Sequence, residues 1–134
     1  MEKQISNGLK TTFIIHFIIG IILGLTYLLV PETWGSLVNW PVNDPSIFRL
    51  LGAALIGISA ASWFAFKTPY WESVRIVVVM EMVWTVLGTL VMLWGMIYGG
   101  LPVIGWLNTV LLAAFAVVFT YFYLQEQKQI TESA

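Results

Sequence analysis

The chain has no cysteine, a single histidine, and only six lysines and arginines against seven acids in 134 residues. Without cysteine there are no disulfides, thiolate metal ligands or cysteine nucleophiles, and nothing fixes a redox compartment. One histidine among scattered acids gives no metal-ligand spacing, so neither a metal nor a cofactor is expected. A net charge of −1 with no basic run excludes a nucleic-acid surface. Charged residues make up 10% of the chain, against about 25% in soluble domains. That is too little to cover a water-facing surface.

What is present is hydrocarbon: 59% of residues are hydrophobic and the mean hydropathy is +0.87. Four apolar runs cover residues 11–30, 46–66, 69–97 and 102–124, each long enough for the roughly 20 residues that cross a bilayer. The first ends in Leu28-Leu29-Val30-Pro31 instead of a small-residue cleavage site, so an uncleaved span is expected. Trp34, Trp40 and three prolines mark residues 31–44 and Pro45 as a loop at the headgroup level. Asp44-Pro45 reads as a helix start. Thr68-Pro69 does so too, and Pro102 follows the break at Gly99-Gly100. The fold expected is all-α: one domain over residues 1–134, a four-transmembrane-helix bundle of a multi-pass cell-membrane protein. With both termini in the cytoplasm, Lys3, Lys10, Lys67, Arg75 and Lys128 fall inside and only Arg49 outside.

The third run carries a carboxylate, Glu81, about 15 Å along the helix from Trp71, near the bilayer midplane. An acid at that depth faces the bundle interior and has a partner. Glu81, Thr85, Gly88, Met92 and Gly95 share one helix face. Ser59 comes out at the same depth, His16 and Ser62 about one turn nearer the cytoplasm. The intramembrane polar site therefore comprises Glu81, His16, Ser59, Thr85 and Arg75, with Ser59 and Thr85 as first partners and His16 reached through a water. Arg75 lies off the Glu81 face and is expected to pair with Glu72 or reach for lipid phosphates. With no cation well placed, Glu81 is expected to be neutral and to donate to Ser59. Arg49 and Asn108 form an outer pair of candidates, Arg49 as an anchor to Glu32 or Asp44 or as a lipid-phosphate contact.

Thr12, His16, Gly20, Gly24 and Tyr27 form one stripe on the first helix, and Gly20-xxx-Gly24 is a spacing that lets helix backbones approach closely. Gly20, Gly24 and Gly57 are expected at helix contacts. The segment Phe48-Arg49-Leu50-Leu51-Gly52, with Gly57 and with Arg75 opening the next helix, resembles the DoxX-like four-helix membrane proteins over the second and third helices. That resemblance implies the same architecture and contact with a quinone, and carries no catalytic residue across.

No catalytic residue is assigned. A hydrolase pairing Ser59 or Ser62 with His16 lacks any recognisable nucleophile motif. The composition asks least of a small helper or structural membrane protein. A proton-coupled small-molecule transporter using Glu81 is the alternative, and a lipid- or quinone-binding subunit is a third reading. Expected partners are membrane lipid, a hydrophobic small molecule, and a second copy or another membrane protein.

Overall fold

Ser6 starts the first helix: its hydroxyl accepts the Leu9 N–H at 3.3 Å, satisfying one of the donors that a helix start leaves without a partner. In the computed structural model, which describes residues 3–133, helix α1 then runs Asn7–Leu29. It stops before Pro31, which disfavours helical geometry at Val30. Pro31 itself opens a short helix, α2 (Pro31–Val38), that closes through Asn39 in the left-handed region at φ 55°. The Asp44 carboxylate accepts the Ser46 N–H at 2.9 Å and starts α3 (Pro45–Lys67). After a three-residue turn come α4 (Trp71–Tyr98) and, past Gly99 and Gly100, α5 (Gly105–Ser133). There is no strand among the described residues.

The expected loop 31–44 thus contains a fifth helix, and the last helix continues well past residue 124. Pro69 and Pro102 lie before their helices, not at the first helical position. The Pro69 carbonyl accepts the Ile5 N–H and the Pro102 carbonyl accepts the Gly105 N–H, both at 2.8 Å. Four helices, α1, α3, α4 and α5, are long and apolar enough to cross a membrane. Their outward faces expose large apolar side chains such as Ile22, Phe64, Ile76, Val91, Trp94 and Val117.

The helices pack as two pairs, α1 with α3 and α4 with α5, with few contacts between pairs. The α1–α3 seam is a close backbone approach. A Cβ on Gly52 would lie 2.6 Å from the Gly24 carbonyl and the Leu28 nitrogen, and one on Gly24 would lie 2.8 Å from Ile56. Ser59 Oγ occupies the place that a Gly20 Cβ would need. Gly57 is a correction: it is exposed, with no described atom within 4 Å of a Cβ built on it, so it makes no helix contact. Its face of α3 points away from α1.

The pairs are joined where α1 begins. Leu9, Phe13, Trp71, Val74, Val78 and Phe119 form a buried cluster there. Residues 3–5 lie over it as a strap, with the Trp71 N–H donating to the Lys3 carbonyl at 2.9 Å and a bridge between Gln4 and Tyr70. The Lys3 ammonium pairs with Glu126, whose side chain is fully buried and also accepts the Ser6 N–H at 2.9 Å. Lys3→Met is therefore expected to cost about 2 kcal/mol, because it strands a buried carboxylate, less than in a fully enclosed pair because Lys3 is partly exposed. Lys3→Met with Glu126→Gln together should recover part of that loss in a thermal melt. Equal melting temperatures for the parent and Lys3→Met would show that the strap contributes nothing.

Candidate functional site

Three helices place three polar side chains in contact at the level where the two pairs meet. His16 comes from α1, Ser62 from α3 and Glu81 from α4, and all three are buried. The Ser62 hydroxyl donates to Glu81 Oε1 at 2.7 Å. Ser62 Oγ also lies 3.0 Å from His16 Nδ1, and His16 Nε2 lies 3.3 Å from Glu81 Oε2. Two sides of this triangle are hydrogen bonds, both through Ser62; across the third, Glu81 Oε2 stands beside the imidazole without a hydrogen-bond partner among the described residues.

A hydroxyl has one proton, and with Ser62 giving it to Glu81 the imidazole donates from Nδ1 to Ser62 Oγ. Ser62 is thus the hinge of the cluster, tying α1 to α3 and α3 to α4. His16 Nε2 and Glu81 Oε2 face each other at 3.3 Å without a hydrogen bond between them. A net charge buried at this place is costly without a partner.

The other expected members are placed differently. Ser59 is not the partner of Glu81; its hydroxyl is buried against Gly20 and has no hydrogen-bond partner among the described residues. Thr85 turns back along its own helix, donating to the Glu81 carbonyl oxygen at 2.6 Å, so it supports the backbone and does not touch the carboxylate. Arg75 is exposed and makes no ion pair among the described residues, with Glu72 or with Glu81. His16 reaches Glu81 directly. At the other end, Arg49 pairs with Glu32 through one nitrogen at 3.0 and 3.2 Å from the two carboxylate oxygens. The Glu32 carboxyl is held below its ordinary value, first by its own backbone N–H and then by Arg49. Asn108 lies apart from Arg49, in the wall of the same cavity as Tyr27.

Above the triangle the two helix pairs separate and leave a cavity of about 490 Å³, in the range of small-molecule sites. Helix α1 lines it with His16, Gly20, Leu23 and Tyr27, and α3 with Leu51 and Leu55. Helix α4 adds Trp84, Gly88 and Met92, and α5 adds Asn108, Leu112 and Phe115. His16 belongs to both structures. Its nitrogens are turned to Ser62 and Glu81, and its ring packs edge-on against Phe115 with centroids 4.8 Å apart. At the far end Tyr27 packs against Trp34, and Trp34 against Trp40. A smaller hollow of about 320 Å³ shares Ile19, Leu111 and Phe115 with the cavity on the α1–α5 seam.

This geometry argues against hydrolysis. Ser62 directs its proton to Glu81, leaving its oxygen to accept from the imidazole, and it does not line the cavity. The arrangement can instead hold an apolar molecule against a neutral, hydrogen-bonded floor. Comparison with known proteins finds no matching family model, curated relative or solved structure, so the likeness to DoxX-like proteins gains no support from a relative. The cavity is not legible in the sequence, because it depends on how far apart the two pairs sit. Depth along the helices puts Ser62 at the His16 level but does not single it out as the partner of Glu81.

Proposed function

We propose that the chain is a multi-pass membrane protein, with both termini on the cytoplasmic side, that binds one apolar small molecule inside its helix bundle. Four long apolar helices with exposed hydrophobic side chains support insertion. Five basic residues against one support the orientation. The observation that carries the binding reading is the cavity between the helix pairs, walled by Leu, Trp, Met and Phe side chains and floored by His16. The space opens on the outer face beside the exposed Leu87 and Val91, so an apolar molecule can enter it from the side, and its walls gain dispersion contacts when it is filled.

Native mass spectrometry of protein released from lipid nanodiscs tests this. The parent chain should carry one apolar small molecule per chain, and Leu55→Trp, which fills the cavity from α3, should carry none while melting at least as high. A bare parent, or an adduct retained in Leu55→Trp, would count against binding in this cavity.

One observation favours a second reading, proton-coupled transport. His16 belongs both to the polar cluster with Ser62 and Glu81 and to the cavity wall, so movement of a ligand against the ring acts on the neighbouring acid. Under that reading Glu81→Gln keeps binding and loses ligand-driven proton uptake in proteoliposomes.

A further inference from the structure

The following rests on the binding reading above and names the class and orientation of what is bound. The geometry points to a neutral, single-chain amphiphile, seated with its apolar tail toward His16 and its hydrogen-bonding head at Tyr27 and Asn108.

Charge comes first. Among the described residues no Asp, Glu, Lys or Arg lines the cavity, and the ion pair at the α2 end, Arg49 with Glu32, is internally balanced. A charged head would enter a hydrocarbon-walled space with no counter-ion, a cost of several kcal/mol. The head is therefore neutral.

The two ends of the cavity differ in what they can offer. At the floor, both His16 nitrogens already face Ser62 and Glu81, and Phe115 covers the ring. Among the described residues His16 is the one polar side chain lining that end, its nitrogens turned away from the cavity, which suits a methyl terminus. At the other end Tyr27 and Asn108 both line the cavity, and a carboxamide can make four hydrogen bonds. That capacity faces a wall that is otherwise apolar, where an unpaired polar group is costly. A hydroxyl, ester or amide head satisfies it.

Length agrees with this. His16 and Tyr27 are eleven residues apart on α1, about 16 Å along the axis, which is room for an extended hydrocarbon chain and not for a compact ring system alone. The head then sits beside the Tyr27, Trp34 and Trp40 rings, in the zone where aromatic side chains meet lipid headgroups.

Two long-chain alcohols carrying a photoreactive diazirine, one at the tail terminus and one beside the hydroxyl, test the orientation in proteoliposomes of the full chain. Peptide mass spectrometry should find the tail-end probe on Ile19 or Phe115 and the head-end probe on Leu51 or Met92. Asn108→Leu should reduce head-end labelling about fivefold, the loss of one hydrogen bond, and Tyr27→Phe provides the same test should Asn108→Leu not fold. A diazirine alkane with no head should label parent and variants alike. Reversed labelling, unchanged labelling in both variants, or stronger labelling by the fatty-acid or alkylammonium counterparts would overturn this assignment and leave the cavity reading standing. Failure of every probe, the alkane included, to label cavity residues would overturn the binding reading itself.

Discussion

His16→Leu is expected to destabilise the protein by about 3 kcal/mol, a fall in melting temperature on the order of 10 °C, whereas Glu81→Gln should change stability by less than about 1 kcal/mol. The difference follows from what each change leaves behind. Removing the imidazole takes the donor from Ser62 and leaves the buried Glu81 carboxyl with only the Ser62 hydroxyl beside it. Glu81→Gln keeps both hydrogen bonds through Ser62: the introduced carboxamide accepts from Ser62 through its carbonyl, and Nδ1–H still donates to Ser62 Oγ. Hydrogen bonds between membrane helices often contribute little, because the unfolded chain finds other partners there. Here, however, His16→Leu also strips the polar neighbour from a buried acid. His16→Leu with Glu81→Leu removes both groups and should cost less than His16→Leu alone. Thermal melts of the three variants check the order. Equal losses for Glu81→Gln and His16→Leu would mean that the imidazole does not support the buried acid.

Gly52→Leu should have the larger effect on assembly, preventing α1 from seating on α3 and leaving little folded protein in detergent. All three nearest atoms to a Gly52 Cβ are backbone: the Gly24 carbonyl oxygen, the Leu28 nitrogen and the Tyr27 carbonyl carbon, at 2.6, 2.6 and 3.0 Å. Backbone cannot rotate away as a side chain can, so the helices themselves must part. In the bilayer setting proposed above no hydrophobic drive holds them together, and the dispersion gained by close approach is lost. Gly57→Leu on the same helix is the internal control and should fold like the parent, since no described atom lies within 4 Å of its Cβ position. A yield and melt of Gly52→Leu matching those of Gly57→Leu would place the α1–α3 contact elsewhere.

Much of the architecture is legible because it is a matter of length and hydropathy, and all four long helices come from predominantly apolar runs. The start of α1 is less so. Residues 1–10 look polar, yet Ile5 and Leu9 are buried and Ser6 caps the helix; serine followed three residues later by leucine is the available signal. Glu81 and His16 stand out in the sequence because polar groups are rare in such runs. Pairing Glu81 with Ser59 fails for a geometric reason. Depth counted along the helix follows Cα positions, but each Cα–Cβ bond leans toward its own helix N-terminus. Helices α3 and α4 run in opposite directions, so Ser62 and Glu81 lean toward each other, and Ser59 leans away from that level. Arg75 lies one turn from the start of α4, on a face that the helix pairs leave exposed. Tyr27 of α1 and Asn108 of α5 meet only in the lining of the cavity, and no spacing within one helix encodes that.

The triangle is tested most directly by nitrogen NMR of the ¹⁵N-labelled protein in bilayers, since the chain has one histidine and its signals are unambiguous. The expected spectrum shows Nδ1 protonated and hydrogen-bonded to Ser62. Addition of a long-chain alcohol should move the ring-carbon signals and leave Nδ1 protonated, as the ring faces the cavity and its nitrogens do not. A bare Nδ1 with an Nε2–H tautomer would contradict the hydrogen-bond directions on which the neutral floor of the cavity depends.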